Sequence, residues 1–274
     1  MPISIAFYGE RGAYTEEAAM ATFGKSARYI PERYISDVFD AVENGAEYGV
    51  VPIENSIEGP VTQTYDQLSD FKLHISGEII LRISHCLITN PGTRLPEIRK
   101  VYSLQQALGQ CKEYLQKMRV ETIPYFDTAG SVKMLKESRI PGAAAIASSR
   151  AAKIYRMKVL ARGIETNKRN YTRFFIVSKT EPKDRGNKTS IVFTLKSLPG
   201  SLFNALDAFA KNRVNLTYIQ SRPVLGQPWT YSFYVDFDGD KGDKRVASAL
   251  KDLKKATNSV KVLGSYKRAE GWLK

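Results

Sequence analysis

The chain has 274 residues, 43% hydrophobic and 25% charged, which suits about two globular domains with proper cores. Its 41 basic against 28 acidic residues give +13, but no nucleic-acid-binding motif and no block of five like charges goes with that balance. Two cysteines make no disulfide framework, two histidines stand at no zinc-ligand spacing, and neither a membrane span nor a secretory signal is evident. A reducing cytoplasm is the expected setting, with no metal, membrane or nucleic-acid partner.

Residues 3–8 predict a strand, and 15–23 a helix with Thr15 as N-cap and Glu16 and Glu17 at the positive end of its dipole. A helix over 36–44 and a buried strand over 48–53 follow. Further strands are expected at 79–88, 120–125, 143–147 and 173–178, with helices near 104–118, 128–137 and 148–156. This alternation predicts parallel α/β architecture, and the long apolar strand 79–88 is placed to carry the chain into a second lobe. The polar stretch 179–187, with Pro182 and Gly186, reads as an interdomain linker. Beyond it come strand 188–195, helix 200–213, strands 214–224 and 229–237, helix 242–256 and strand 259–267. That is the ferredoxin-like β-α-β-β-α-β order, with Leu225-Gly226-Gln227-Pro228 as the hairpin turn.

Charge is uneven along this plan: net −5 over residues 1–100, +10 over 101–185 and +8 over 186–274. A solvated basic surface and the attraction of a small dianionic substrate both account for it.

Four segments, and one companion similar to the third, carry candidate chemistry. Gly9-Glu10-Arg11-Gly12 joins a strand to a helix, either as a tight turn or as a close backbone approach to an anion. Glu54-Asn55-Ser56 closes a buried strand, where open α/β sheets bind ligands and where helix caps also sit. Asp127-Thr128-Ala129-Gly130-Ser131 opens a helix, with Asp127 or Thr128 as N-cap and backbone N–H groups suited to a carboxylate. Ser103 leads a similar strand-to-helix step, in which Cys111 reads as a small buried hydrophobe. Asn170-Tyr171-Thr172-Arg173-Phe174 brings a hydroxyl, a fixed cation and an aromatic to the start of a buried strand.

In the order GxxGxYTEEAA, VPIENSIEG, TAGS and NYTRF, followed by a β-α-β-β-α-β domain, these segments resemble the prephenate dehydratase family over nearly the whole chain. The last part is similar to an ACT domain, with Leu198-Pro199-Gly200-Ser201-Leu202 and the segment 215–223 matching its two effector motifs. The resemblance implies an α/β fold: a two-lobed catalytic domain, periplasmic-binding-protein-like, over 1–180, then a ferredoxin-like ACT regulatory domain over 187–274. With the dehydratase motifs starting at the first strand, no chorismate mutase extension is expected. Three positions depart from the family pattern. Leu104 replaces a histidine in Ser103-Leu104-Gln105-Gln106, Thr166 an aspartate, and Gln220 the effector-motif glutamate.

What the resemblance implies chemically is decarboxylative dehydration of prephenate to phenylpyruvate, water and carbon dioxide, without metal or cofactor. Thr172 is the expected catalytic residue, assisting departure of the hydroxyl. Asn170, Arg173, Phe174, Glu54, Asn55, Ser56, Ser103, Gln106 and Thr128 are the expected substrate contacts. For Arg173, binding a carboxylate and bracing the strand both stay open, and Glu54, repelled by a dianion, is expected to orient other groups. The expected effector and inhibitor is L-phenylalanine, held by Leu198, Gly200, Ser201, Leu202, Asn215, Leu216, Ser221 and Arg222 in a homodimer or homotetramer. Arogenate dehydratase and a non-catalytic amino-acid sensor are the alternatives.

Overall fold

The computed structural model describes residues 2–224 and 226–271, so Leu225 of the expected hairpin turn lies outside the described residues. In chain order the first elements are β1 (Ser4–Tyr8), α1 (Tyr14–Phe23), β2 (Arg28–Glu32), α2 (Ile35–Glu43), β3 (Tyr48–Asn55), β4 (Gly59–Pro60), α3 (Thr62–Asp70) and β5 (His74–Arg82). Next come β6 (Cys86–Thr89), β7 (Lys100–Ser103), α4 (Gln105–Gln110), α5 (Lys112–Met118), β8 (Glu121–Pro124), α6 (Thr128–Ser138), β9 (Ala143–Ala147), α7 (Ser149–Tyr155) and β10 (Lys158–Arg162). The last are β11 (Tyr171–Ser178), β12 (Lys188–Thr194), α8 (Ser201–Lys211), β13 (Leu216–Pro223), β14 (Tyr231–Asp238), α9 (Lys244–Ala256) and β15 (Ser259–Tyr266).

Two sheets organise the first two-thirds of the chain, ordered β2-β1-β3-β11-β5 and β10-β6-β9-β7-β8. Helix α2 buries Ile35, Val38, Phe39 and Val42, an i, i+3, i+4, i+7 stripe facing its sheet. In the second sheet β9 is buried on both faces. Ala143, Ala145 and Ala147 pack with α6 and α7, while Ala144 and Ile146 pack with α4 and α5.

The structure differs from expectation at several places. Strand 79–88 is two strands, broken at residues 83–85, and β5 and β6 belong to different sheets. The second sheet is mixed rather than parallel, because β6 pairs antiparallel with both β9 and β10. Helix 104–118 is divided at Cys111. Thr15 lies buried inside the first turn of α1, and the N-cap is Ala13 with no side-chain cap bond. Glu16 accepts from the Gly12 N–H at 2.8 Å instead, and pairs with Arg150 at 3.1 Å. Gly12 has φ +93, and a Cβ there would stand 2.7 Å from the Cα of Ala151, so the loop admits no side chain.

The chain forms two compact units. One holds the residues up to Val61 and Ile79–Phe174; the other holds Thr62–Glu78 and Phe175–Glu270. In the second, the sheet β13-β14-β12-β15 follows the β-α-β-β-α-β order. One face packs Ile191, Phe193, Val235 and Phe237 against α8 and α9. The opposite face is covered by residues 62–78, which the sequence left unassigned. Tyr65 stacks on Tyr218 and meets Tyr234 edge-on, while the Tyr234 hydroxyl donates to the Tyr65 carbonyl at 2.7 Å. A Cβ on Gly264 would stand 2.1 Å from the Ile75 carbonyl oxygen, so glycine is required where β5 crosses β15. Lys188 and Glu78, both buried, pair at 2.7 Å on the same face. The stretch 179–187 is tied into this unit: Gly186 N–H donates to Asp240 at 2.8 Å, and Lys241 pairs with Glu181.

Candidate active site

The C-terminal end of β3 lies beside the start of β11, and strand alternation makes two cross-strand pairs there. Glu54 meets Arg173, with oxygen to Nε at 3.2 Å and to the terminal nitrogen at 3.1 Å. Asn55 meets Thr172, with Nδ2 to Oγ1 at 3.0 Å. Successive residues point to opposite sides of a strand, so the ion pair braces the sheet opposite the amide–hydroxyl pair.

The turn after β3 fixes Asn55. Its Oδ1 accepts from the N–H groups of Ile57 and Glu58 at 2.9 and 3.0 Å, an Asx turn that leaves only one way round for the amide. Nδ2 must therefore donate, and it does so to Asn170 Oδ1 at 2.7 Å, Thr172 Oγ1 at 3.0 Å and the Tyr171 carbonyl at 3.2 Å. Because the Thr172 oxygen is an acceptor here, its own hydrogen remains to be donated. Ser56 pins the same turn to the other strand: its N–H donates to the Tyr171 carbonyl at 2.8 Å and its hydroxyl to the Arg169 carbonyl at 3.2 Å.

Asn170 is fully buried, and its Nδ2 donates to Gln110 Oε1 at 2.8 Å. Gln110 Oε1 also lies 2.9 Å from His85 Nε2, and His85 Nδ1 lies 2.9 Å from the Tyr14 hydroxyl. Burial holds the His85 pKa below its ordinary value, against the Gln110 bond and the Glu165 charge, so the ring is neutral at pH 7. The buried Glu165 carboxylate accepts from the backbone N–H of His85 at 2.8 Å.

On the second sheet, Asp127 caps α6 by accepting from Gly130 N–H at 2.8 Å, with burial raising its pKa. Ser103 is buried and donates to the Ile146 carbonyl at 2.7 Å; Thr128 is buried on the first turn of α6. Burial and the charge of Glu165 push the Cys111 thiol to about 12, and burial raises Cys86 too, so neither is a thiolate at neutral pH.

Asn55, Ser56, Asn170 and Thr172 are thus brought into one cluster, with Glu54 and Arg173 as its brace. Asn170, Ser103 and Phe174, three of the expected contacts, have buried side chains, as do Thr128 and Thr172. Gln106 is exposed on α4, and Gln110, four residues on, joins the cluster in its place. Leu104 packs against the α4–α5 core. Gln110, His85 and Tyr14 are the members that sequence reasoning missed.

In the second unit β13 is the sheet edge. Leu198, Leu202, Phe203, Ile219 and Trp229 are exposed apolar side chains, and Gly200 caps α8. Asn215 donates to Asp238 at 2.9 Å. Arg222 pairs with Asp66 of α3, one terminal nitrogen lying 2.9 Å from each carboxylate oxygen. Gln220 donates to the Ser221 carbonyl at 2.8 Å.

Two α/β lobes with a polarised hydroxyl at a strand end, joined to a β-α-β-β-α-β unit, define a small-molecule enzyme with an appended regulatory fold. The family model for prephenate dehydratase matches residues 5–182, and that for the ACT domain matches 189–255. A bifunctional chorismate mutase/prephenate dehydratase from Aquifex aeolicus is 42% identical over 97% of this chain and 74% of its own length. An arogenate dehydratase/prephenate dehydratase from Arabidopsis thaliana is 38% identical over 96% of this chain and 72% of its own. The crystal structure of an Arthrobacter aurescens prephenate dehydratase in complex with L-Phe superposes with a TM-score of 0.89 at 35% identity, covering 97% of this chain and 90% of that one. The chain belongs to the prephenate dehydratase family and carries an ACT domain.

Proposed function

We propose that the protein converts prephenate to phenylpyruvate, carbon dioxide and water, and that Thr172 assists the step. The substrate's ring carboxylate leaves as carbon dioxide, its bonding electrons enter the ring, and the 4-hydroxyl departs and takes up a proton to become water. Aromatisation drives the reaction, so the protein must hold a dianion and stabilise the departing oxygen. Thr172 is a weak acid, and its contribution is a hydrogen bond that strengthens as the C–O bond breaks, worth about 2.7–4 kcal/mol by analogy with oxyanion-hole donors. The observation that carries this reading is Asn55 donating to the Thr172 oxygen, which leaves the hydroxyl hydrogen to be donated elsewhere.

In this reading residues 1–180 are the catalytic domain and 187–274 the regulatory one. Glu54 and Arg173 brace the strands, Asn55, Asn170 and Ser56 set the hydroxyl, and Thr128 with the α6 N-terminus receives a carboxylate. L-Phenylalanine is the effector at the segments around 198–202 and 215–222, bound between two copies. The exposed β13 edge with Leu198, Phe203, Ile219 and Trp229 supports assembly there as a homodimer or homotetramer. The free, buried Cys86 and Cys111 suit a reducing cytoplasm.

The test is phenylpyruvate formation from prephenate, with arogenate, Thr172→Ala and added L-Phe assayed in parallel. The expected result is turnover that falls at least about a hundredfold in the variant and is reduced by L-Phe. Turnover of arogenate alone would move the assignment to arogenate dehydration. No turnover of either substrate with L-Phe still bound would make the protein a sensor.

A further inference from the structure

We infer that His85 is a positioning residue for the Thr172 hydroxyl, acting through Gln110, Asn170 and Asn55. The inference rests on the reading of Thr172 as the donor to the leaving hydroxyl. Every link of the chain has a fixed direction, set at its far end by two backbone N–H groups. Those of Ile57 and Glu58 point into Asn55 Oδ1, so Asn55 presents Nδ2 to both Asn170 Oδ1 and Thr172 Oγ1. With its oxygen engaged, Asn170 presents Nδ2 to Gln110 Oε1. Gln110 then has its Nε2 on the side of Glu58, at 3.5 Å from that carboxylate, and its oxygen on the side of His85.

An oxygen facing His85 Nε2 at 2.9 Å requires the proton on Nε2. The ring is therefore the Nε2–H tautomer, with a lone pair on Nδ1. The Tyr14 hydroxyl donates to the Ser84 carbonyl oxygen at 2.8 Å and lies 2.9 Å from Nδ1. Gln110 Oε1 thus receives two donors, one from His85 and one from Asn170. Reversing the Gln110 amide would set its NH2 group against the Asn170 NH2 group, and Asn170, held by Asn55, could not turn to relieve the clash. The neutral imidazole holds Gln110, and through it Asn170, in the orientations that match the Asn55 donor on the Thr172 oxygen. Amides carry orientation and not protons, so His85 neither supplies nor removes the reaction's proton.

The experiment pairs kinetics with spectroscopy on the full chain. Side-chain 15N spectra of the resting protein report the His85 tautomer independently of any substrate. The Nε2–H pattern is expected, and the Nδ1–H pattern would overturn the inference whether or not prephenate reacts. In kinetics, His85→Leu should lower kcat by about tenfold or more, the rate equivalent of one lost hydrogen bond, with KM little changed. His85→Gln, whose Nε2 can donate to Gln110, should recover most of that loss. Equal activity in wild type, Leu and Gln variants would sink the inference, as would equal loss in both variants, which marks packing alone. Thr172→Ala in the same series separates the two readings: full activity there refutes the catalytic assignment, while the tautomer measurement still judges His85.

Discussion

At the scale of single residues, the site depends on which atom of Asn55 faces Thr172. Asn55→Asp keeps the acceptor for Ile57 and Glu58 but replaces the donor with a second carboxylate oxygen. Thr172 would then donate to that oxygen, and its hydrogen would be withdrawn from the substrate. Steady-state kinetics should show kcat lower by about a hundredfold or more, the loss found when an oxyanion-hole donor is removed. The melting temperature should also fall, because that oxygen would face Asn170 Oδ1 and the Tyr171 carbonyl, and a variant with unimpaired kcat would refute the polarity argument. Thr172, Arg173, Glu54, Asn55 and Ser56 were legible because they lie within two short segments that resemble a known family. Gln110, His85 and Tyr14 were not, because their part in the site comes from hydrogen-bond direction between residues 25 to 71 positions apart. No local pattern encodes that.

At the scale of elements, patterning identified the helices and strands with a regular apolar stripe or a continuous apolar run, such as α2, β14 and β9. It missed β2, interrupted by Pro31, and α3, whose sequence TQTYDQLSD is mostly polar. It also merged β5 with β6, since an apolar run does not record a change of sheet. The Asp127 cap on α6 was legible, and it carries a measurable tension. Its raised pKa means ionisation is less favourable in the folded chain than in the unfolded one, so the cap bond helps while the buried charge costs. Asp127→Asn keeps an accepting oxygen without the charge and should melt at or above the wild-type temperature at pH 7. That difference should narrow as pH falls toward the ordinary carboxylate range, where both states hold the proton. Asp127→Ala removes the cap and should cost about 1 kcal/mol. A destabilised Asn variant at neutral pH would show that the charge is favourable.

For the whole molecule, the compact units do not follow the order of the chain, because Thr62–Glu78 pack with Phe175–Glu270. A fragment of residues 1–180 keeps α3 and β5 but loses the sheet that covers them. Tyr65 and Leu68, each 2% exposed in the full chain, would face water, at roughly 1.5–3 kcal/mol for each large apolar side chain. The fragment should melt below the full chain and scatter light on concentration, and Tyr65→Ser with Leu68→Ser should restore its solubility. A fragment as stable and monodisperse as the parent would show that residues 62–78 need no partner. The same discontinuity bears on synthesis. The bond from Tyr234 to the Tyr65 carbonyl spans 169 residues, and that from Lys261 to the Leu68 carbonyl spans 193. At ~5–20 residues per second, α3 leaves the ribosome roughly ten to thirty seconds before Tyr234 is made. Through that interval it must remain harmless in water, and a helix with Thr62, Gln63, Asp66, Gln67 and Asp70 around two large apolar side chains is soluble enough to wait.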